Sequence, residues 1–269
     1  NNPFTVAKRT GGIVQIGIIG YGVVGSHIED DVRKAGHRPI IYDPIKFQHL
    51  NREDINKCDA AFVCVPTPMA ADGSCDLSAI QDTFSWLNVP VVIIRSTVPP
   101  GTTARLQSAD DDNDVVFVPE FIGEGVNAPY RQMKQPPFLI IGGDSEARKH
   151  AANVLSQIYN SECEFIYTDA TTAEVAKYAE NYFLALKVSW ANELYDICEK
   201  VGADFGQMMN AVTHDYRIGR SHTHVYADRR GWDGRCLPKD LNALLAVAGR
   251  DTAPLLASVI EVNKKVRGE

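Results

Sequence analysis

The segment GYGVVG, residues 20–25, constrains the fold of this chain more than any other stretch. It follows a short β-branched run at residues 14–19 and precedes an amphipathic stretch at residues 23–35. Strand, glycine turn and helix in that order are the context in which a G-x-G-x-x-G loop binds a dinucleotide. Gly20 permits the tight turn, Gly22 opens the backbone to a pyrophosphate, and Gly25 lets the helix lie close on the strand. Tyr21, Val23 and Val24 complete the loop. The phosphates are expected at the helix N-terminus, where backbone N–H groups and the helix dipole favour an anion. About twenty residues further on, Asp43 ends the next apolar run and is placed to accept hydrogen bonds from ribose hydroxyls. Pro44 follows it where an arginine would suit a 2′-phosphate, which points to NAD rather than NADP.

Further short apolar runs recur at residues 39–42, 60–65, 91–94, 115–118 and 138–141, separated by loops or helix-length stretches. That rhythm predicts a Rossmann-like, doubly wound α/β domain, a parallel sheet wrapped by helices, over residues 13–170. Asp76 and Asp144 read as helix N-caps. The pattern changes near Thr171. Residues 172–201 hold neither Gly nor Pro, their apolar positions recur three and four apart, and Gly202 follows as a C-terminal stop. One long helix is expected there, then helices at residues 205–212, 241–248 and 254–266. Residues 171–269 should therefore be a long connecting helix and an all-α domain.

Composition narrows the function. A net charge of −7 without a long basic stretch argues against nucleic acid as a partner. No apolar run approaches the roughly 20 residues that span a bilayer. The six cysteines show no CxxC or finger-like spacing and fall mostly in apolar stretches, so they read as reduced thiols of a cytoplasmic protein. His214, His222 and His224 lack the paired Cys or carboxylate pattern of a zinc site, and no metal is expected. Asp110, Asp111, Asp112 and Asp114 read only as an acidic loop, and residues 1–12 as a polar lead-in.

Several residue groups could carry chemistry. Cys236 stands in GWDGRCLPKD, residues 231–240, followed by Lys239 and Asp240. A nearby ammonium favours the thiolate, and a carboxylate can hold or take a water proton. Lys177 and Asn181, four apart on the long helix, share a face and could donate to one developing oxyanion. Taken alone, each also fits a blander reading: a packed thiol, a solvated helix face. Glu120 and Glu124 in PEFIGEG fall near a strand end, where open α/β sheets bind ligands.

In order along the chain, these segments resemble the UDP-glucose/GDP-mannose dehydrogenase family. The resemblance rests on GYGVVG, VCVPTPMAADGSCDLSAI (63–80), RSTVPPGTT (95–103), VPEFIGEG (118–125), AEVAKYAENYFLALKVSWANEL (173–194), RIG (217–219) and GWDGRCLPKD. It implies Cys236 as a nucleophile, Lys177 and Asn181 as oxyanion donors, and Asp240 as partner of Lys177 and the active-site water. Thr97 resembles the residue that holds a catalytic water, Glu120 the base for thioester hydrolysis, and Glu124 a neighbour of the nicotinamide. Val65, Pro66, Thr67, Ser96, Thr97 and Lys239 resemble further cofactor contacts. Arg217 and the stretch from Gly231 resemble the part that holds a sugar nucleotide, with Glu120, Lys177 and Asn181.

The resemblance implies oxidation of a nucleotide sugar, UDP-glucose to UDP-glucuronate in the leading case, by two NAD-dependent hydride transfers through a Cys236 thiohemiacetal and thioester. A homodimer formed through the long helix is expected. Asp233 interrupts a run that is usually glycine in the family, and Gly123 replaces a larger residue. After VIEVNKKVRGE the family would continue into a further α/β domain that binds the substrate's nucleotide. Two other readings stand beside this one. A β-hydroxyacid-type dehydrogenase would share the Lys177/Asn181 pair but needs no cysteine, and a catalytically silent NAD-binding or assembly module would keep only the frame.

Overall fold

The apolar runs form the strands of one sheet. The computed structural model describes residues 14–47, 51–109, 113–121, 123, 133 and 135–269. Along the chain come β1 (Ile16–Ile19), α1 (Val23–Lys34), β2 (Ile40–Tyr42), α2 (Arg52–Ile55), β3 (Ala60–Val63) and α3 (Ser78–Phe84). They are followed by β4 (Val91–Ile94), α4 (Thr102–Ala109), β5 (Asp114–Phe117), β6 (Phe138–Gly142), α5 (Ser145–Leu155) and β7 (Glu164–Thr168). The strands lie in the order β2-β1-β3-β4-β5-β6-β7. In β1, β3 and β4 every residue is buried, as expected where helices cover both faces of a parallel sheet.

The chain leaves β1 for β2 on one side, then crosses to β3 on the other, with Gly17 opposite both Ile40 and Ala61. That reversal makes the carboxyl ends of β1 and β3 the switch point where such sheets take a ligand. The glycine loop sits there.

Two features depart from the sequence reading. The sheet is not wholly parallel: β6 runs antiparallel to β5, then β7 pairs parallel with β6. Such a reversal beside a parallel run is common in mixed sheets and needs no crossover helix. Strand β7 lies outside the expected apolar runs. Its residues, EFIYT, are mostly exposed, so no buried apolar run marks it.

The long helix is α6 (Ala170–Val201), and Gly202 after it has φ +74°, the left-handed conformation that ends a helix. Next come α7 (Phe205–Val212), α8 (Leu237–Ala248) and α9 (Pro254–Arg267). Helix α8 starts four residues before the expected 241, because Pro238 occupies its first turn, where a missing N–H costs nothing.

The chain divides into two compact units. One contains the described residues up to Pro66, Ser78–Ser96 and Gly101–Ala173; the other contains Thr67–Leu77, Thr97–Pro100 and Glu174–Glu269. The loops after β3 and β4 thus group with the helices, unlike the single break at 170/171 that the sequence suggests. In the sheet unit, Ile16, Ile18, Phe62, Ile93, Val116 and Ile141 build the core. In the helical unit, Ala185, Trp232, Leu241, Leu256, Val259 and Ile260 do so. No described helix is long and apolar enough to cross a membrane.

Candidate active site

In the sheet unit, steric limits account for two of the loop glycines. Gly20 has φ +87°, and a Cβ there would lie 2.6 Å from the carbonyl oxygen of Cys64. A Cβ at Gly25 would lie 2.0 Å from the carbonyl oxygen of Gly20. Gly22 is different: it precedes α1, and a Cβ there would meet nothing within 4 Å. Open space before an exposed helix N-terminus is what a pyrophosphate needs. Val23 is also exposed and Val24 packs towards the core.

Asp43 is built into this loop. Its Oδ2 accepts from the Tyr21 N–H at 2.8 Å and its Oδ1 from the Ile45 and Lys46 N–H groups, both at 3.0 Å. Burial pushes its carboxyl up, but the three backbone donors and the Lys46 charge outweigh that and hold it below the usual range. The Lys46 ammonium donates to the Tyr21 carbonyl at 2.6 Å, so the cation nearest Asp43 braces the loop. The Tyr21 hydroxyl donates to Glu29 on α1. At the ends of β3 and β4, the buried Ser96 hydroxyl donates to the Val65 carbonyl at 2.7 Å, fixing the turn before Pro66.

In the helical unit the structure brings Asn181, Lys239 and Asp240 together. Asp240, in the first turn of α8, is 1% exposed. Its Oδ2 accepts from Asn181 Nδ2 at 2.6 Å, and its Oδ1 pairs with the Lys239 ammonium. Lys177, buried one turn before Asn181 on α6, pairs with Glu180 at 2.9 Å. Cys236, half-buried, is the N-cap of α8, and its carbonyl accepts from the Asp240 N–H at 2.9 Å. The Thr67 hydroxyl donates to the Thr97 carbonyl at 2.8 Å, joining the two loops of this unit.

Other expected residues have partners of their own. Arg217 is exposed and forks onto the Asp215 carboxylate, with Nε at 3.0 and 3.1 Å. Gly231 is required by packing: its φ is +75°, and a Cβ would lie 2.5 Å from Asn263 Oδ1. Asn263 in turn accepts from the Trp232 N–H at 2.7 Å and donates to its carbonyl at 3.0 Å. Asp233, the unexpected acid, pairs with Arg267 at 3.1 Å. Glu120 is half-buried just past the end of β5. Glu124, residues 1–12, Asp110, Asp111 and Asp112 lie outside the described residues.

Sequence reasoning passes over four residues near this cluster. Glu180, three residues from Lys177, is detectable by helical spacing. Glu174 and Tyr178 are 0% and 1% exposed on α6, a turn apart, with no apolar signal to separate them from the rest of the helix. Cys75 carries a raised thiol pKa, chiefly from burial and partly offset by the Lys239 charge. Among the described residues no group of three or more His, Cys, Asp or Glu side chains is placed to hold a metal ion.

A doubly wound dinucleotide-binding unit followed by helices that gather Lys, Asn, Asp and a helix-capping Cys has the frame of an NAD-binding dehydrogenase. Residues 27–162 match the NAD-binding domain of the UDP-glucose/GDP-mannose dehydrogenase family, and residues 171–265 match its central domain. The chain belongs to that family, and its cofactor is NAD. It is 33% identical over 236 residues to the UDP-glucose 6-dehydrogenase of Rickettsia conorii, covering 83% of this chain and 53% of that protein. To UDP-glucose 6-dehydrogenase YwqF of Bacillus subtilis it is 34% identical over 234 residues, 81% of this chain and 51% of the relative. The chain thus spans about half the length of these relatives. The structure of a UDP-glucose dehydrogenase from Pyrobaculum islandicum superposes with a TM-score of 0.80 at 26% identity, over 97% of this chain and 70% of that one.

Proposed function

We propose that the chain carries the NAD-binding and catalytic parts of a nucleotide-sugar 6-dehydrogenase, with UDP-glucose its best-supported substrate and UDP-glucuronate the product. The observation that carries this reading is the bond from buried Asn181 on α6 to buried Asp240, which also pairs with Lys239 in the first turn of α8, the helix whose N-cap position Cys236 occupies. The alternative, a β-hydroxyacid-type dehydrogenase, needs no cysteine there.

When bound, NAD supplies the hydride acceptor for each of the two oxidations. The chain's own groups do the rest. Asp240, anchored by Asn181 and Lys239, holds the water that takes the alcohol proton. The Cys236 thiolate adds to the aldehyde carbon, and Lys177 and Asn181 donate to the oxyanion so formed. Loss of the second hydride leaves a thioester, which water cleaves; by the family resemblance Thr97 and Glu120 are the residues assigned to that step. The balance is one primary alcohol, two NAD and one water giving one carboxylate, two NADH and three protons.

By the family resemblance, Val65, Pro66, Thr67, Ser96, Glu124 and Lys239 are assigned to the cofactor in this reading. Arg217 and Gly231 face the sugar nucleotide. Phe183, Ile197 and Val201 are 57%, 48% and 68% exposed on α6. At 100° per residue they fall on one stripe, which supports pairing of two chains along that helix. Six thiols without a disulfide fit a reducing compartment such as the cytoplasm.

The test is a panel of UDP- and GDP-sugars followed by NADH release, for the wild type and Cys236→Ser. The variant should stop short of the acid. Normal acid formation by the variant would remove Cys236 from the mechanism.

A further inference from the structure

Tyr21 stands between Gly20 and Gly22, where the backbone is freest to move. Gly22 is the N-cap of α1 and has no side chain, so the first N–H groups of the helix stay open to the pyrophosphate of NAD. How tightly they bind it depends on how firmly the turn is held, because a ligand that must order a loop loses affinity in doing so. Tyr21 is held from two elements. On the β2 side its N–H donates to Asp43 Oδ2 at 2.8 Å and its carbonyl accepts from the Lys46 ammonium at 2.6 Å. Its ring packs edge-on against Phe47, with centroids 5.2 Å apart. On the α1 side the tie is the hydroxyl, which donates to Glu29 Oε2.

Glu29 lies in the second turn of α1 and is 9% exposed. Its Oε1 accepts from Arg33 Nε and pairs with Arg33 Nη2, both at 2.7 Å, while Oε2 serves Tyr21. Burial pushes the Glu29 carboxyl up, but the Tyr21 hydroxyl and Arg33 outweigh it and hold it below the usual range. The bond to Glu29, together with burial, raises the Tyr21 phenol, so the phenol stays the donor and the carboxylate stays charged. A hydrogen bond to an ionised acceptor is about twice as strong as a neutral one. This one spans the point where turn becomes helix. Tyr21 precedes the open N–H groups and Glu29 follows them, so the bond fixes the angle at which the helix end is presented.

We propose that Glu29 is a positioning residue of the NAD site: through the Tyr21 hydroxyl it holds the glycine turn against α1, so that the pyrophosphate meets N–H groups already in place. The proposal concerns cofactor binding alone, so failure of the nucleotide-sugar oxidation would leave it standing. Tyr21→Phe keeps the ring and removes the hydroxyl. NAD and ADP-ribose, titrated by calorimetry, should bind this variant about tenfold more weakly, the weight of one hydrogen bond to a charged group. Adenosine, followed by ligand-detected NMR, lacks the pyrophosphate and should bind as it does to the wild type. Glu29→Ala should match Tyr21→Phe, and the double variant should be no weaker than either. Glu29→Gln keeps an acceptor for the hydroxyl and should recover most of the affinity. Unchanged NAD affinity in Tyr21→Phe, an equal loss for adenosine, additive losses in the double variant, or Glu29→Gln as weak as Glu29→Ala would each overturn the proposal. If Glu29→Ala does not fold, Tyr21→Phe decides alone.

Discussion

Asn181→Ala isolates the interaction on which the candidate site is built. Asn181 is 7% exposed and Asp240 1%, and their 2.6 Å hydrogen bond ends on a carboxylate. Hydrogen bonds to charged groups contribute about 1.5–3 kcal/mol. The other Asp240 oxygen keeps Lys239, so the carboxylate is not stranded and the loss should be near the middle of that range, about 2 kcal/mol. The internal comparison is Asn242→Ala on α8, the helix of Asp240; the Asn242 side chain donates to the neutral Pro238 carbonyl at 2.7 Å. That bond is worth about 1 kcal/mol. The assay is urea unfolding followed by fluorescence in a Trp86→Phe, Trp190→Phe background, which leaves Trp232, 5% exposed in the core of the helical unit, as the reporter. With a slope of roughly 1–1.5 kcal/mol per M for a unit of this size, Asn181→Ala should lower the midpoint by about 1.3–2 M and Asn242→Ala by about half as much. Combined with Asp240→Asn, the Asn181→Ala loss should shrink by about 1 kcal/mol or more, since the partners are coupled. Equal effects of the two Asn variants, or strict additivity with Asp240→Asn, would refute the reasoning.

Gly25→Ala places a Cβ 2.0 Å from a backbone oxygen, so α1 must move; saturable NAD binding by fluorescence should be lost while the helical unit's urea transition stays. Asp43 has a lowered pKa in the folded chain, so its stabilisation is complete above the unfolded value near about 4 and is lost as pH falls through the lowered folded value. Melting curves from pH 6 to pH 3 should therefore fall less steeply for Asp43→Asn than for the wild type, and parallel curves would count against the loop bracing. Burial holds Cys58 and Cys64 at about 12 and Cys163 at about 11, so at pH 8 iodoacetamide should alkylate half-buried Cys236 first, as read by peptide mass spectrometry. Earlier labelling of the buried thiols would contradict this.

Legibility in the sequence depends on range. Glycine chemistry is local: Gly20 and Gly25 are demanded by atoms a few residues away or on the adjoining strand, and Gly202 by the helix it ends. The 32-residue α6 is readable because nothing in it breaks a helix. The start of α8 is less so, since Pro238 reads equally as a breaker or a first-turn residue. Strand β7 depends on pairing with β6: EFIYT is rich in strand-forming residues but has no buried apolar face to announce it. The order of motifs brings Lys177, Asn181 and Asp240 forward as candidates, but which ion meets which is decided by packing. Among the pairs that packing makes are Lys177 with Glu180 and Lys239 with Asp240, neither of which the resemblance announces. The capture of loops 67–77 and 97–100 by the helical unit is likewise a long-range outcome.

The central claim is that one active site carries an alcohol to an acid through Cys236. It is tested most directly by counting NADH released per UDP-glucose consumed, with the carbon product identified by mass spectrometry. Two NADH and UDP-glucuronate are predicted. One NADH with an aldehyde or ketone product, or bound NAD with no turnover, would contradict it.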